Sequence, residues 1–360
     1  MARSISGLSA FVPVPSLAGD AALGNGSSDS LDTEGLVPVP VPAALPQYEV
    51  MFEPVSRGET EVDAASIHWL LDGAPQAPGV RVLRQSFSVG DEAVSYRLWY
   101  PSALPHAFAV LLHGACDYSA AFEELGTALA ASGIAALAYD QNGCGTRRSR
   151  GISLYPAHQI SDLLAASDAL RAKAYEIYGS AAVDQPLFLI GESMGGGVAV
   201  RGAAAGIDIA GLVLVAPAAI ACPYRRVFFQ AAANLVAFFA PWSRWRIERR
   251  GEAELSDLAA IRFLSDPFVL RRVPSRMMAQ LFALAAEAAR VAPRVTVPTL
   301  TLVGTGENIL RRECIETLHR RLSGPAEIEV LEGAGHFLLH AKRNSEIFRR
   351  IADWILARAA

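Results

Sequence analysis

The sequence predicts an α/β fold: a mostly parallel, eight-stranded sheet with helices on both faces and an inserted helical cap. Three observations predict it. Short, fully apolar runs recur along the chain, and helical stretches separate most of them. After Pro217 the rhythm breaks for roughly 80 residues without a strong strand, longer than an ordinary connection.

Taken in order, residues 1–47 read as a disordered tail, punctuated by Pro13, Pro15, Pro38, Pro40, Pro42 and Pro46 around the polar piece GNGSSDS. Proline spaced in this way favours extended, polyproline-like backbone. Residues 48–217 are the first part of the core. Within it VRVLRQSFSV and AVSYRLWY alternate like two half-buried strands, and FAVLLHG, IAALAYD, LFLIG and LVLVAP are buried parallel strands. Helices are expected over AAFEELGTALAASG and AHQISDLLAASDALRAKAYEIYG. Residues 218–297 form the cap, and residues 298–360 complete the core with TLTLVG and IEVLEG. In sheets of this kind ligands bind beyond the carboxyl ends of the strands.

The stretch FLIGESMGGGVAV carries the chemistry. A buried strand runs into G-E-S-M-G and then into a helix, the setting of a nucleophile elbow. At so tight a turn, side chains flanking Ser193 would collide with the strand and helix, and Gly191 and Gly195 remove them. Gly196 and Gly197 are expected to bring the helix close to the sheet. A serine hydroxyl is a weak nucleophile until a base takes its proton. Of seven histidines only His319, His336 and His340 follow the serine. His319 sits in a helical stretch, and His340 reads as structural. His336, in the glycine-rich loop LEGAGHF past the last apolar strand, is the base expected to reach Ser193. The acid belongs in the loop after TLTLVG, where Glu307 lies; Glu313 and Glu316 already fall in the next helix. The oxyanion requires two preorganised N–H donors. One is the amide of Met194, and the second comes from the loop after AVLLHG, with Ala115 expected and Cys116 the alternative. His113 then reads as a structural loop residue.

These residues resemble the monoacylglycerol lipase and lysophospholipase branch of the α/β-hydrolases. The resemblance is carried by VLLHGACDYSAAFEELGTALAASGIAALAYDQNGCGTRRSRG, LFLIGESMGGG, VTVPTLTLVGTGEN and GAGHFLLH, and runs from about residue 80 to the C-terminus. By that resemblance Ser193, Glu307 and His336 fall on the triad positions and Ala115 and Met194 on the oxyanion positions. This chain departs at two places: it has Glu192 where the family usually has histidine before the nucleophile, and Glu307 where the family usually has aspartate.

Composition excludes several classes. The chain has 360 residues, 52% of them hydrophobic, and a net charge of -4, so nothing marks nucleic acid as a partner. Four scattered cysteines contain no C-x-x-C pair, which argues against a zinc site or a disulfide framework. No metal or cofactor is expected. No apolar run reaches the length of a membrane span, and the N-terminus is not a convincing signal peptide, so a cytoplasmic protein is expected.

The cap points to the substrate. Phe228, Ala232, Leu235, Phe239 and Trp242 recur at helical spacing, flanked by Arg225, Arg226, Arg244, Arg246, Arg249 and Arg250. That stripe either packs on the core or lies on a lipid surface, and both imply an apolar acyl pocket beneath. Cys116, Phe228, Leu235, Phe239, Met277 and Met278 are its expected lining. The expected function is hydrolysis of acyl-lipid esters, monoacylglycerol or lysophospholipid, with peripheral membrane contact through the cap. The alternatives are a small-ester or thioester hydrolase of the same fold, and a non-catalytic lipid carrier on a hydrolase scaffold. Dehalogenase and epoxide hydrolase chemistry both want a carboxylate at the elbow and are disfavoured.

Overall fold

A computed structural model describes residues 77–220, 231, 233–241, 243–247 and 255–359. The expected tail over residues 1–47 lies outside them, as do Phe228, Ala232 and Trp242. The strands are β1 (Val80–Val89), β2 (Glu92–Pro101), β3 (Ala107–Leu112), β4 (Ile134–Tyr139), β5 (Leu187–Glu192), β6 (Gly211–Val215), β7 (Arg244–Arg246), β8 (Arg272–Pro274), β9 (Thr299–Gly304) and β10 (Ala326–Leu331). The helices are α1 (Glu123–Ala131), α2 (Gln159–Tyr178), α3 (Met194–Ala204), α4 (Asp257–Ser265), α5 (Ser275–Val291), α6 (Arg312–Arg320) and α7 (Asn344–Ala359).

Eight strands form one sheet in the order β1-β2-β4-β3-β5-β6-β9-β10. The hairpin strands β1 and β2 run antiparallel, β2 joins β4 antiparallel, and every pairing from β4 through β10 is parallel. The inner strands β3, β4, β5, β6 and β9 are buried at every position and mostly apolar because both of their faces are covered. Alternate side chains go to opposite layers. Phe108, Val110, Leu112, Leu189, Leu212 and Leu214 pack with Leu163 of α2, Val198 of α3 and Leu284 of α5. Ala109, Leu111, Phe188, Ile190, Val213 and Leu302 pack with Leu125 of α1 and Ile351 and Trp354 of α7.

Between β6 and β9 the chain forms a helical piece at 233–239, the small antiparallel pair β7–β8, and helices α4 and α5. Helix α5 has two environments. Its C-terminal half is core: Leu284, Ala285, Ala288 and Ala289 are buried, and Leu284 fills the space a side chain on Gly197 of α3 would need. Gly197 therefore admits α5 rather than the sheet. Gly196, crowded by Pro217 and the Gly191 carbonyl of β5, does bring α3 against the sheet, as does Gly195, whose β-carbon would run into the Leu112 carbonyl oxygen of β3. The parallel topology delivers the ends of β3, β5, β9 and β10 to one edge, so residues far apart in sequence meet there.

Candidate active site

Ser193 stands on the turn between β5 and α3 with φ 49 and ψ -115, a conformation rarely tolerated outside glycine. Strain of this order costs about 1–3 kcal/mol and persists only where the surroundings impose it. Here they do. The Ser193 N–H donates to Val215 O at 2.9 Å, and Ser193 O accepts from Ala218 N at 2.7 Å, which ties the turn to the end of β6.

His336 arrives on the loop after β10. Its Nε2 lies 3.1 Å from Ser193 Oγ, and its Nδ1 lies 2.6 Å from Glu307 Oε2. Glu307 sits in the loop after β9, with its side chain fully buried. Its other oxygen, Oε1, accepts the backbone N–H groups of Ile309 and Leu310, both at 2.9 Å. Burial pushes this carboxyl up, but the hydrogen bond and charge of His336, with those two amides, outweigh it and hold Glu307 below the usual carboxylate value. The carboxylate is thereby fixed as acceptor, Nδ1 carries the imidazole proton, and Nε2 is left to accept from the serine.

The Gly114–Ala115 loop lies against the nucleophile: a β-carbon on Gly114 would stand 3.5 Å from Ser193 Cβ. Met194 is the first residue of α3, where backbone N–H groups lack intrahelical partners. Met194 follows Ser193 directly at the start of α3, and Ala115 lines the same cavity as Ser193. Cys116 is buried in the same loop at φ 68. His113 is fully buried, its Nδ1 donating to Gly114 O at 2.8 Å and its Nε2 accepting from Gln141 N at 3.0 Å. Both ring nitrogens are engaged in the loop, and burial pulls the His113 pKa down.

A cavity of about 350 Å³, in the range of small-molecule sites, opens on Ser193 and His336. Ala218, Ala219, Ile220, Met278, Leu281 and Phe282 make an apolar wall, and Asp117, Glu192 and His340 a polar one. Of the expected lining, Cys116 and Met278 are present. Met277 is not: it is 2% exposed and packs in the core beneath α5, because neighbouring helix positions point about 100° apart. Leu235 and Phe239 do not line the cavity either; they are 59% and 76% exposed. Among the described residues of the stripe, Leu235 and Phe239 are therefore not packed on the core.

Sequence reasoning missed the polar wall. Glu192 Oε2 pairs with His340 Nε2 at 3.0 Å, Arg262 of α4 pairs with Asp117, and Tyr118 OH donates to Asp266 Oδ2 at 2.6 Å. All six side chains belong to buried residues. The available signal was a charged residue in an apolar frame: Arg262 stands in DLAAIRFLS, and Glu192 ends a strand with no other charge.

The family model Hydrolase_4, described as serine aminopeptidase, S33, matches residues 103–343. Human monoglyceride lipase is 27% identical over 277 residues, covering 73% of this chain and 87% of its own. Among solved structures, a soluble variant of monoglyceride lipase from Saccharomyces cerevisiae has a TM-score of 0.65 at 21% identity, over 78% of this chain and 95% of that one. A thermostable carboxyl esterase from Bacillus coagulans has a TM-score of 0.62 at 18% identity, over 79% and 100%. With the family model matching well over half of its length, the chain belongs to the Hydrolase_4 family, and it is an α/β-hydrolase of monoglyceride lipase-like type and a carboxylic ester hydrolase.

Proposed function

We propose that the chain cleaves carboxylic esters of acyl lipids, monoacylglycerol or lysophospholipid, through Ser193, His336 and Glu307 and an acyl-enzyme. The observation that carries the reading is the continuous line Ser193 Oγ, His336 Nε2, His336 Nδ1, Glu307 Oε2, with links of 3.1 and 2.6 Å. His336 accepts the serine proton as Oγ attacks the ester carbonyl. Glu307 holds the tautomer and stabilises the imidazolium. The carbonyl oxygen, now anionic, is taken by the amides of Met194 and Ala115. His336 then protonates the departing alcohol, and water, deprotonated by the same imidazole, releases the acid.

An acyl chain suits the wall of Ala218, Ala219, Ile220, Leu281 and Phe282, and the relatives named for monoglycerides support that class. Cap residues Leu235, Phe238, Phe239 and Trp245, all exposed and close in sequence to the exposed Arg244 and Arg246, fit the surface of a lipid aggregate. The test is a panel of monoacylglycerols, lysophospholipids, p-nitrophenyl esters and acyl thioesters, with a fluorophosphonate probe alongside. Turnover of long-chain monoacylglycerol or lysophospholipid, and labelling that disappears in Ser193→Ala, are expected. Labelling that persists in Ser193→Ala overturns the assignment of the nucleophile. Turnover confined to short esters or thioesters replaces the lipid reading, and a wild type that neither labels nor hydrolyses leaves the carrier reading.

A further inference from the structure

The loop that carries Ala115 is strained and is held from two sides. Cys116 has φ 68, in the left-handed region, and such a residue stays there only if its neighbours over-determine it. From the core, the Gln141 N–H donates to His113 Nε2 at 3.0 Å, Gln141 Nε2 donates to His113 O at 2.7 Å, and the His113 ring donates to Gly114 O at 2.8 Å. These contacts end at Gly114.

Cys116, Asp117 and Tyr118 are fastened from one segment of the insertion, while the core adds a contact of Cys144 with the Cys116 backbone and Arg97 over the Tyr118 ring. The Leu270 N–H donates to Cys116 O at 2.9 Å. The Arg262 guanidinium pairs with Asp117 Oδ1, which also accepts the Tyr118 N–H at 2.9 Å. The Tyr118 hydroxyl donates to Asp266 Oδ2 at 2.6 Å. Asp266 is itself fixed, its N–H donating to Arg262 O at 3.0 Å and its Oδ1 accepting the Phe268 N–H at 2.8 Å. Apolar packing closes the joint, with Tyr118 and Ala120 against Leu255, Ala259, Phe263 and Val269. Arg262, Asp117, Tyr118 and Asp266 are 1–5% exposed, so the contacts act without competition from solvent.

We propose that Arg262 and Asp266 are positioning residues for the reaction: by clamping Asp117 and Tyr118, while the Leu270 N–H holds Cys116, they set the Ala115 amide at the distance from Ser193 that an oxyanion requires. The oxyanion hole is then complete only while residues 257–270 are docked, which couples the seating of the insertion to catalytic competence. The inference rests on Ala115 being an oxyanion donor.

The test compares wild type, Tyr118→Phe, Arg262→Lys, and the double variant Asp117→Asn/Arg262→Met, which removes both charges of the pair together. Three quantities are read on folded protein: kcat and KM for a p-nitrophenyl ester, inhibition by a trifluoromethyl ketone, and the rate of fluorophosphonate labelling. The ketone reports on the hole because Ser193 Oγ adds to its carbonyl carbon, His336 takes the proton, and the resulting alkoxide occupies the oxyanion position. For the double variant kcat is expected to fall by about 10- to 100-fold, since a misplaced donor loses most of its effect. KM should stay within about threefold, and ketone affinity should fall with kcat/KM. Tyr118→Phe should show the same pattern at about three- to tenfold, and Arg262→Lys should retain more activity than the double variant. A double variant with kcat and ketone affinity within about twofold of wild type overturns the proposal. If that variant does not fold, Tyr118→Phe decides by the same criterion. Absence of ester turnover in the wild type refutes the hydrolase reading instead, and the ratio of labelling rates then reads the clamp.

Discussion

Glu192, the residue before the nucleophile, places its Oε2 3.0 Å from His340 Nε2, and both side chains are almost completely buried. Among the described residues its second oxygen, Oε1, is buried with no hydrogen-bond partner. Such a carboxylate depends on its one imidazole. Removing one partner of a buried polar pair leaves the other unsatisfied and costs about 3 kcal/mol, while replacing both costs much less. His340→Ala should therefore destabilise the protein by about 3 kcal/mol, and adding Glu192→Gln should restore part of the loss. Urea denaturation of the two variants measures it. A double variant no more stable than His340→Ala would show that the pair is not what the histidine secures.

Glu307 separates the triad reading from a chance juxtaposition. Its Oε1 accepts two backbone amides, so in Glu307→Gln the amide oxygen stays with them and Nε2 is turned toward His336. An N–H facing Nδ1 selects the tautomer protonated on Nε2, which no longer accepts from Ser193. We expect kcat to fall by about 10³–10⁴ with KM little changed. Glu313→Gln, in the first turn of α6, should stay within about twofold of wild type. Steady-state kinetics on any turned-over ester decides, and equal losses in both variants would move the acid elsewhere.

How far the sequence reaches is clear from these residues. The strands were legible because each inner strand is a short, mostly apolar run, and the elbow because Gly191 and Gly195 bracket a serine between strand and helix. Glu307 was legible from its place after a strand. The Glu192–His340 and Asp117–Arg262 pairs were not, since their partners lie 148 and 145 residues apart and neither pair has a spacing rule. Met277 and Met278 show the limit within one helix: adjacent residues of like chemistry, one in the core and one on the cavity. The inserted segment was legible as an interruption, but its clamp on the Ala115 loop follows from tertiary docking alone.

His113 gives the stability curve a predictable acid side. Burial lowers its pKa in the folded protein, while the unfolded chain takes up the proton near 6.5. Below that pH the unfolded state binds more protons than the native one, so stability is fully present above 6.5 and falls as the pH drops through the interval to the depressed folded value. The slope from one such group is about 1.4 kcal/mol per pH unit. Urea denaturation at several pH values between about 5 and 7.5 should show the decline, and His113→Asn should reduce it by about one proton. An unchanged slope in a folded His113→Asn would assign the acid sensitivity to another group.

The exposed cap face makes the last prediction. Phe238 and Phe239 are each 76% exposed, with ring centroids 5.1 Å apart. Burying a phenylalanine is worth roughly 1.5–3 kcal/mol, and arginine near an anionic surface contributes about 1 kcal/mol. Arg244 and Arg246 on β7 are exposed and close in sequence to supply that attraction. Flotation with vesicles containing anionic lipid should therefore carry the wild type upward, more weakly at high salt. Phe238→Ser with Phe239→Ser should lower the bound fraction at least about tenfold, because two aromatic insertions are lost at once. Hydrolysis of a water-soluble p-nitrophenyl ester should be unchanged, since neither ring lines the cavity. Unaltered flotation would remove the cap from the membrane, whereas a parallel loss of soluble-ester turnover would mean the rings support the site itself.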